Sequence, residues 1–547
     1  MIKKYISDLR KEFNGYNGKK LTADLMAGLT VAAVALPLAL AFGVSSGADA
    51  ASGLITAIVA GILTGVLSGA SYQISGPTGA MTAILLTVSA KYGLQGVFLA
   101  GAISGVILLL AALLKFGKLV SYIPLPVITG LTSGIAIIIA LGQIDNFFGT
   151  VSEGENALQK LISYGRLGFD PNYYAVMFGV IVIAIMLLYP KKLNAKFPAS
   201  LASIIIALII QIIFDFDVSE VGAIPKTLLL ENRLMLSAVT FDSIKVLITP
   251  AASIAALGMI ESLLCGASAG KMKNEKIDAS RELVAQGIGN IVIPFLGGVP
   301  ATAAIARTSV AIKAGGQTRL VSVFHSITLI ASMFLLGDVM SRIPLAALAG
   351  VLMVTAWRMN EWEMIKSIFS KKLKYSMLQF FATMAATVVF DLTVAITIGV
   401  VVAMVIFVLR SSELTVDVSD VDAERLINSG VNGKHHIHTK IIYLAGPLFF
   451  GTQDKLTEVL HQLDDAEAII FSMRGVPIID DSAIEELRML YNEYNGKGVK
   501  FLFCGVQPKV KGTMERAGFV SEISEEHFCW DAVSALKTIE KEKTAED

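Results

Sequence analysis

Long apolar runs separated by short polar breaks occupy the first three-quarters of this 547-residue chain. They recur at roughly 24–44, 51–69, 78–91, 94–114, 124–144, 172–189, 198–214, 247–268, 280–296, 300–313, 320–337, 343–357, 375–390 and 392–410, and predict fourteen membrane segments. The third and the tenth are too short to cross a bilayer unaided. Each follows a break containing glycine and proline, ISGPTGAMT over 74–82 and GGVPATAAIART over 297–308. A helix that starts inside a membrane leaves its first N–H groups unpaired, which is tolerated only beside a cavity, and its positive end is a natural seat for an anion. Paired breaks in the two halves of a chain point to a transporter site between inverted repeats. The second short helix is expected to begin at Pro300, which sets Arg307 two turns further along the same face.

After Arg410 the pattern becomes that of a globular protein. The stretch 411–437, rich in charge and turn residues, reads as a linker. From 438 onward strands (KIIYLAGPLFF, EAIIFSM, KFLFCGV) alternate with helices (TQDKLTEVLHQL, IEELRMLYNEY, KVKGTMERAG), which predicts a compact α/β module. The expected organisation is a cytoplasmic segment over 1–20, a membrane domain over 21–410, a linker over 411–437 and a cytoplasmic domain over 438–547.

A chain that is 54% hydrophobic and 16% charged is not a soluble globular protein, and a net charge of zero gives no electrostatic case for nucleic acid as a partner. The charges are placed unevenly. The first twenty residues are basic, and Lys115 and Lys118, Lys191, Lys192 and Lys196, Lys271, Lys273 and Lys276, and Lys371, Lys372 and Lys374 fall in loops on the same side. The positive-inside rule puts that side, and both termini, in the cytoplasm of a cell-membrane protein. Cys265, Cys504 and Cys529 offer neither a disulfide framework nor metal-ligand spacing, and no cofactor or metal is expected.

Glu261 lies halfway along an otherwise uncharged segment. A carboxylate there costs several kcal/mol unless it is paired, hydrated or neutralised, so it is a candidate for carrying a coupling proton. The alternative is a carboxylate pinned by backbone N–H groups with no part in coupling.

Six motifs in order, GLTVAAVALPLALAFG (28–43), ISGPTGAMT, GMIESLLC (258–265), SRELVAQGIGN (280–290), GGVPATAAIART and IIDDSA (478–483), resemble the SulP family of anion transporters, whose animal members form solute carrier family 26. The resemblance implies an α-helical membrane protein of seven plus seven inverted repeats, divided into core and gate domains. It also implies a C-terminal α/β STAS domain, elevator-type movement and a homodimer. Phe42, Thr78, Thr302, Ala306 and Arg307 fall in the motifs that line the family's anion pocket. Sodium-coupled bicarbonate members carry hydroxyls where this chain has Cys265 and Ile305, a departure that favours a proton at Glu261 over sodium. Leu38 stands where many sulfate-type members have glutamine. In the STAS module Asp480, Asp481 and Ser482 occupy the loop where related bacterial domains carry a phosphorylated serine, and here a structural or partner-binding role is expected. The function so implied is secondary active transport of bicarbonate, sulfate or a C4 dicarboxylate, with the membrane lipid as surroundings. The alternatives are an uncoupled channel or exchanger, sodium-coupled bicarbonate uptake, and a nucleobase permease.

Overall fold

The computed structural model describes residues 2–546 apart from 119–122, 155–156, 195–196, 391, 423–425, 427–430, 432–435, 437, 461–462 and 464–465. It divides into two compact units, Met1–Val401 and Val402–Asp547.

The first unit opens with α1 (Ile2–Glu12), α2 (Gly18–Ser45) and α3 (Ala50–Leu67), then the two-residue strand β1 (Ser75–Gly76), α4 (Gly79–Leu113) and α5 (Leu125–Gly142). Short α6 (Ile144–Phe148) and α7 (Ala157–Leu167) precede α8 (Tyr173–Leu188), α9 (Lys191–Asn194) and α10 (Ala199–Phe214). The chain continues through α11 (Phe241–Lys273), α12 (Ala279–Val292), strand β2 (Thr302–Ala303), α13 (Ile305–Lys313), α14 (Leu320–Met340), α15 (Leu345–Met359), α16 (Trp362–Ser370), α17 (Lys374–Val389) and α18 (Leu392–Ser411). Among the described residues seven helices are long and apolar enough to cross a membrane, and α8, α10 and α15 are shorter apolar helices. The runs expected at 78–91 and 94–114 are continuous in α4 except at Gly93, whose φ of 68° breaks the helix where a side chain would be strained.

The helices pack in two groups. One contains α2, α3, α4, α11, α12, α13 and α14; the other is built around α5, α8, α10, α15 and α17. The first is stitched by polar groups as well as by apolar contact. Asp24 on α2 is fully buried with no cation paired to it among the described residues, and its carboxylate accepts from Tyr16 Oη, the N–H groups of Gln317 and Thr318, and Thr318 Oγ1. A buried carboxylate persists only with such a complete set of donors. The α1 helix is tied to the same group through Glu12, which pairs with the buried Arg319 at 2.8 Å, and through Asp8, which pairs with Arg281 at 2.7 Å.

In the second unit a five-stranded sheet runs in the order β3 (Thr415–Asp420), β4 (Thr439–Ala445), β5 (Ala468–Gly475), β6 (Lys500–Cys504) and β7 (Phe528–Cys529). The β3–β4 pair is antiparallel and the others are parallel. Helices α19 (Gln453–Leu460), α20 (Asp481–Gly496), α21 (Pro508–Arg516), α22 (Phe519–Ile523) and α23 (Ala532–Glu546) complete the unit. Alternate strand residues enter two cores: Ile469, Phe471, Phe501 and Phe503 on one face, and Ala468, Ile470, Leu502 and Cys504 against α23 on the other. Burial on both faces explains why these strands read as continuous apolar runs. Strand β3 lies within 411–437, the stretch read as linker; its Val416 and Val418 alternate with polar residues as an edge strand requires.

Candidate functional site

The two broken stretches meet. β1 and β2 pair antiparallel, Ser75 opposite Ala303 and Gly76 opposite Thr302, and from this crossing α4 and α13 start in turn. The helix after the second break starts at Ile305, not at Pro300 as the sequence suggested. The reason is that residues 299–303 find their partners outside a helix. Val299 N–H donates to Thr56 Oγ1 at 2.7 Å, and the N–H and carbonyl of Ala301 are both bonded to the Asn290 amide at 2.7 and 3.0 Å. Arg307 therefore stands in the first turn of α13 rather than two turns along a helix.

A cavity of about 620 Å³ lies against this crossing, between the two helix groups. Phe42 of α2, Thr78 at the start of α4, Glu261 of α11, and Ala306 and Arg307 of α13 line one side; Ile135 of α5 and Leu352 of α15 lie on the other. Thr78 caps α4, and its hydroxyl donates to Glu261 Oε2 at 2.9 Å. The Arg307 side chain is 2% exposed, and its Nη2 donates to the carbonyl of Pro77 at 2.6 Å. Its Nη1 has no protein partner among the described residues. Gly76 makes room for this guanidinium, since a Cβ there would come within 2.5 Å of Nη1. A similar closeness holds at Gly79, where a Cβ would lie 2.6 Å from Ile139 Cδ1 and 3.3 Å from the Phe42 ring. Chemically, the crossing offers the buried Arg307 guanidinium, the N–H groups of two helix starts and the Glu261 carboxylate, beside a chamber lined mainly by apolar residues and also by Lys271, Arg358 and Glu361.

Of the residues expected at the site, Phe42, Thr78, Glu261, Ala306 and Arg307 are brought together and Thr302 is not. Its hydroxyl is buried on α11, 2.8 Å from Ser262 Oγ and 3.3 Å from the carbonyl of Gly258, because β2 turns alternate side chains to opposite faces. Ile305 and Leu38 line the cavity, whereas Cys265 is buried with its thiol on Thr308. Sequence reasoning missed Thr56 and Asn290, which hold the second break; Asn290 lies within the SRELVAQGIGN motif. It also missed the α5 and α15 wall, whose apolar residues look like any other membrane helix.

In the second unit Asp480 caps α20 by accepting from Ala483 N–H at 2.9 Å, and also accepts from Phe450 N–H at 3.1 Å. Asp481 and Ser482 are exposed in the first turn of that helix.

Residues 21–386 match the sulfate permease family, and residues 431–535 match the STAS domain. The chain belongs to the sulfate permease family, a family of multi-pass membrane transporters, and carries a C-terminal STAS domain. It is 35% identical over 529 residues to a putative sulfate transporter of Bacillus subtilis, YvdB, covering 94% of this chain and 97% of that one. It is 28% identical over 542 residues to the bicarbonate transporter BicA of Synechocystis, covering 96% and 95%. Among solved structures, the transmembrane domain of a cyanobacterial BicA matches with a TM-score of 0.64 at 29% identity, over 70% of this chain and 98% of that one. Murine Slc26a9, an anion transporter solved in an inward-facing state, shares the fold over 98% and 94% with a TM-score of 0.85 at 17% identity.

Proposed function

We propose that the protein is a secondary active transporter that carries a small anion, bicarbonate, sulfate or a C4 dicarboxylate, across the cell membrane by elevator-type alternating access coupled to protons. One observation carries the reading: a buried arginine and a half-buried carboxylate face one cavity at the crossing of two broken helices, between two separately packed helix groups. Arg307 and the two helix starts hold the anion, with Thr78 and Phe42 shaping its seat. Glu261 carries the coupling proton. Neither Cys265 nor Ile305 supplies a hard oxygen, and a sodium shell needs several. The group containing α2, α4, α11 and α13 is the moving core and the group containing α5 and α15 the gate. The cavity lining extends to Lys271 and Arg358, at the ends of α11 and α15 that the positive-inside rule assigns to the cytoplasm, which supports an inward-open state with both termini inside. A homodimer fits the family, and the STAS domain serves regulation or partner binding.

The relatives' names divide between sulfate and bicarbonate, so the decisive experiment is uptake into proteoliposomes. Labelled sulfate, bicarbonate and succinate are each tested against unlabelled competitors under imposed proton or sodium gradients. Trans-acceleration by unlabelled anion and accumulation driven by protons are expected. Uptake that needs sodium would replace the proton in this reading, and absence of trans-acceleration would make the protein a channel.

A further inference from the structure

We propose that a buried polar stripe on α12, formed by Glu282, Gln286 and Asn290, positions the crossing of the two broken stretches and thereby sets the affinity of the anion site. The inference rests on placing the anion at that crossing. The three residues recur every fourth position, hence on one face of the helix, and none is more than 1% exposed. Each reaches a different part of the crossing. Glu282 Oε2 accepts from Ser68 Oγ at 2.6 Å and from Gly69 N–H at 3.0 Å, in the turn that leads into β1. Gln286 Nε2 donates to Ser75 Oγ, on β1 itself, at 2.9 Å, and also to Glu282 Oε1 at 2.9 Å. Asn290 holds both backbone groups of Ala301, one residue before β2.

A buried carboxylate and two buried amides within a helix packed among membrane segments are costly, and each is tolerated only where its partners are in place. Here those partners are the backbone and hydroxyl groups of the two breaks, with Glu282 Oε1 held by Gln286 Nε2; Gln286 Oε1 has no partner among the described residues. The breaks need such support, because β1 and β2 are two residues long and their backbone has little ladder of its own. Gly76 and Pro77 follow directly on Ser75, so the Pro77 carbonyl that holds Arg307 and the Thr78 hydroxyl that meets Glu261 hang on the clamp. None of the three α12 residues lines the cavity, so they are positioning residues and act through β1 and β2. A site is only as well aimed as the residues behind it.

The test uses the full-length protein in proteoliposomes with labelled sulfate, bicarbonate or succinate, whichever the wild type carries. Ser75→Ala removes the hydroxyl that Gln286 holds, and Gln286→Met removes the donor at similar volume. Ser75→Ala should raise KM about fivefold, the loss of one net hydrogen bond, with the maximal rate and the unfolding temperature in detergent little changed; Gln286→Met should raise KM at least as much and also lower the unfolding temperature, since it takes a donor from the buried Glu282 as well. Because Gln286→Met already removes the bond to Ser75, the double variant should be no worse than Gln286→Met alone. An unchanged KM in both singles, additive effects in the double, or a lower maximal rate at unchanged KM would overturn the proposal. Ser75→Ala deletes a single hydroxyl and keeps the test open if Gln286→Met does not fold. Arg307→Ala, measured alongside, separates the two ideas. If it too left KM unchanged, the site reading itself would fail, whereas a raised KM there with a normal Ser75→Ala would remove the stripe alone.

Discussion

Thr78 and Glu261 are 183 residues apart in the chain and meet through a 2.9 Å hydrogen bond at the wall of the cavity. The hydroxyl that caps α4 thus also holds the one acid of α11 that faces the chamber. In the proposed reading, a proton moving on or off Glu261 acts through this bond on the helix start that the anion would face.

Glu261→Gln keeps the shape and hydrogen-bonding capacity of the protonated acid. It is expected to bind anion normally, to lose the response of uptake to an imposed proton gradient, and to slow net uptake more than anion exchange, since the empty carrier returns with uncompensated helix ends. Proteoliposome uptake with proton or sodium gradients checks this, and a glutamine variant that kept full proton dependence would remove Glu261 from coupling.

Arg307→Ala removes the buried charge and also leaves the Pro77 carbonyl without its donor. Anion KM should rise at least tenfold, about 1.4 kcal/mol or more, with a smaller change in unfolding temperature. Gly76→Ala makes the same point without touching the charge, because its methyl group would displace the guanidinium; it should raise KM in the same direction. Normal KM in both variants would take Arg307 out of the site.

The ion pair of Glu12 with Arg319 is buried on both sides, whereas Lys4 and Asp278 pair near the surface. Glu12→Ala should cost about 3–5 kcal/mol, the penalty of a buried charge that loses its partner, and Lys4→Ala no more than about 1 kcal/mol. Thermal unfolding in detergent distinguishes them, and equal effects would show that α1 is not anchored through Glu12.

In the STAS domain, Asp480→Ala deletes a helix cap and a tie to Phe450 and should destabilise the domain by about 1–2 kcal/mol. Asp481→Ala, exposed in the following turn, should change it by less than about 0.5 kcal/mol. Hydrogen exchange over residues 448–452 and 480–484 of the full-length protein reads both. Faster exchange in Asp481→Ala than in Asp480→Ala would contradict the capping role.

Hydropathy alone determined the apolar helices, the abrupt change after Arg410, and the two breaks, because glycine and proline beside small residues inside an apolar run have few other meanings. It also singled out Glu261 and Arg307, since a charge is conspicuous where lipid surrounds the helix. Only the tertiary structure decided that the breaks pair as β1 and β2, that Thr302 turns to α11 while Thr78 turns to Glu261, and that α13 starts at Ile305. Those outcomes depend on which groups satisfy the backbone between Val299 and Ala303, and the partners, Thr56 and Asn290, come from distant helices whose sequences carry no mark of the groups they will meet. The same holds for β3, whose edge pairing exists only once β4 is beside it. Local pattern specifies elements, while long-range hydrogen bonds choose where an element begins and which way a single side chain faces.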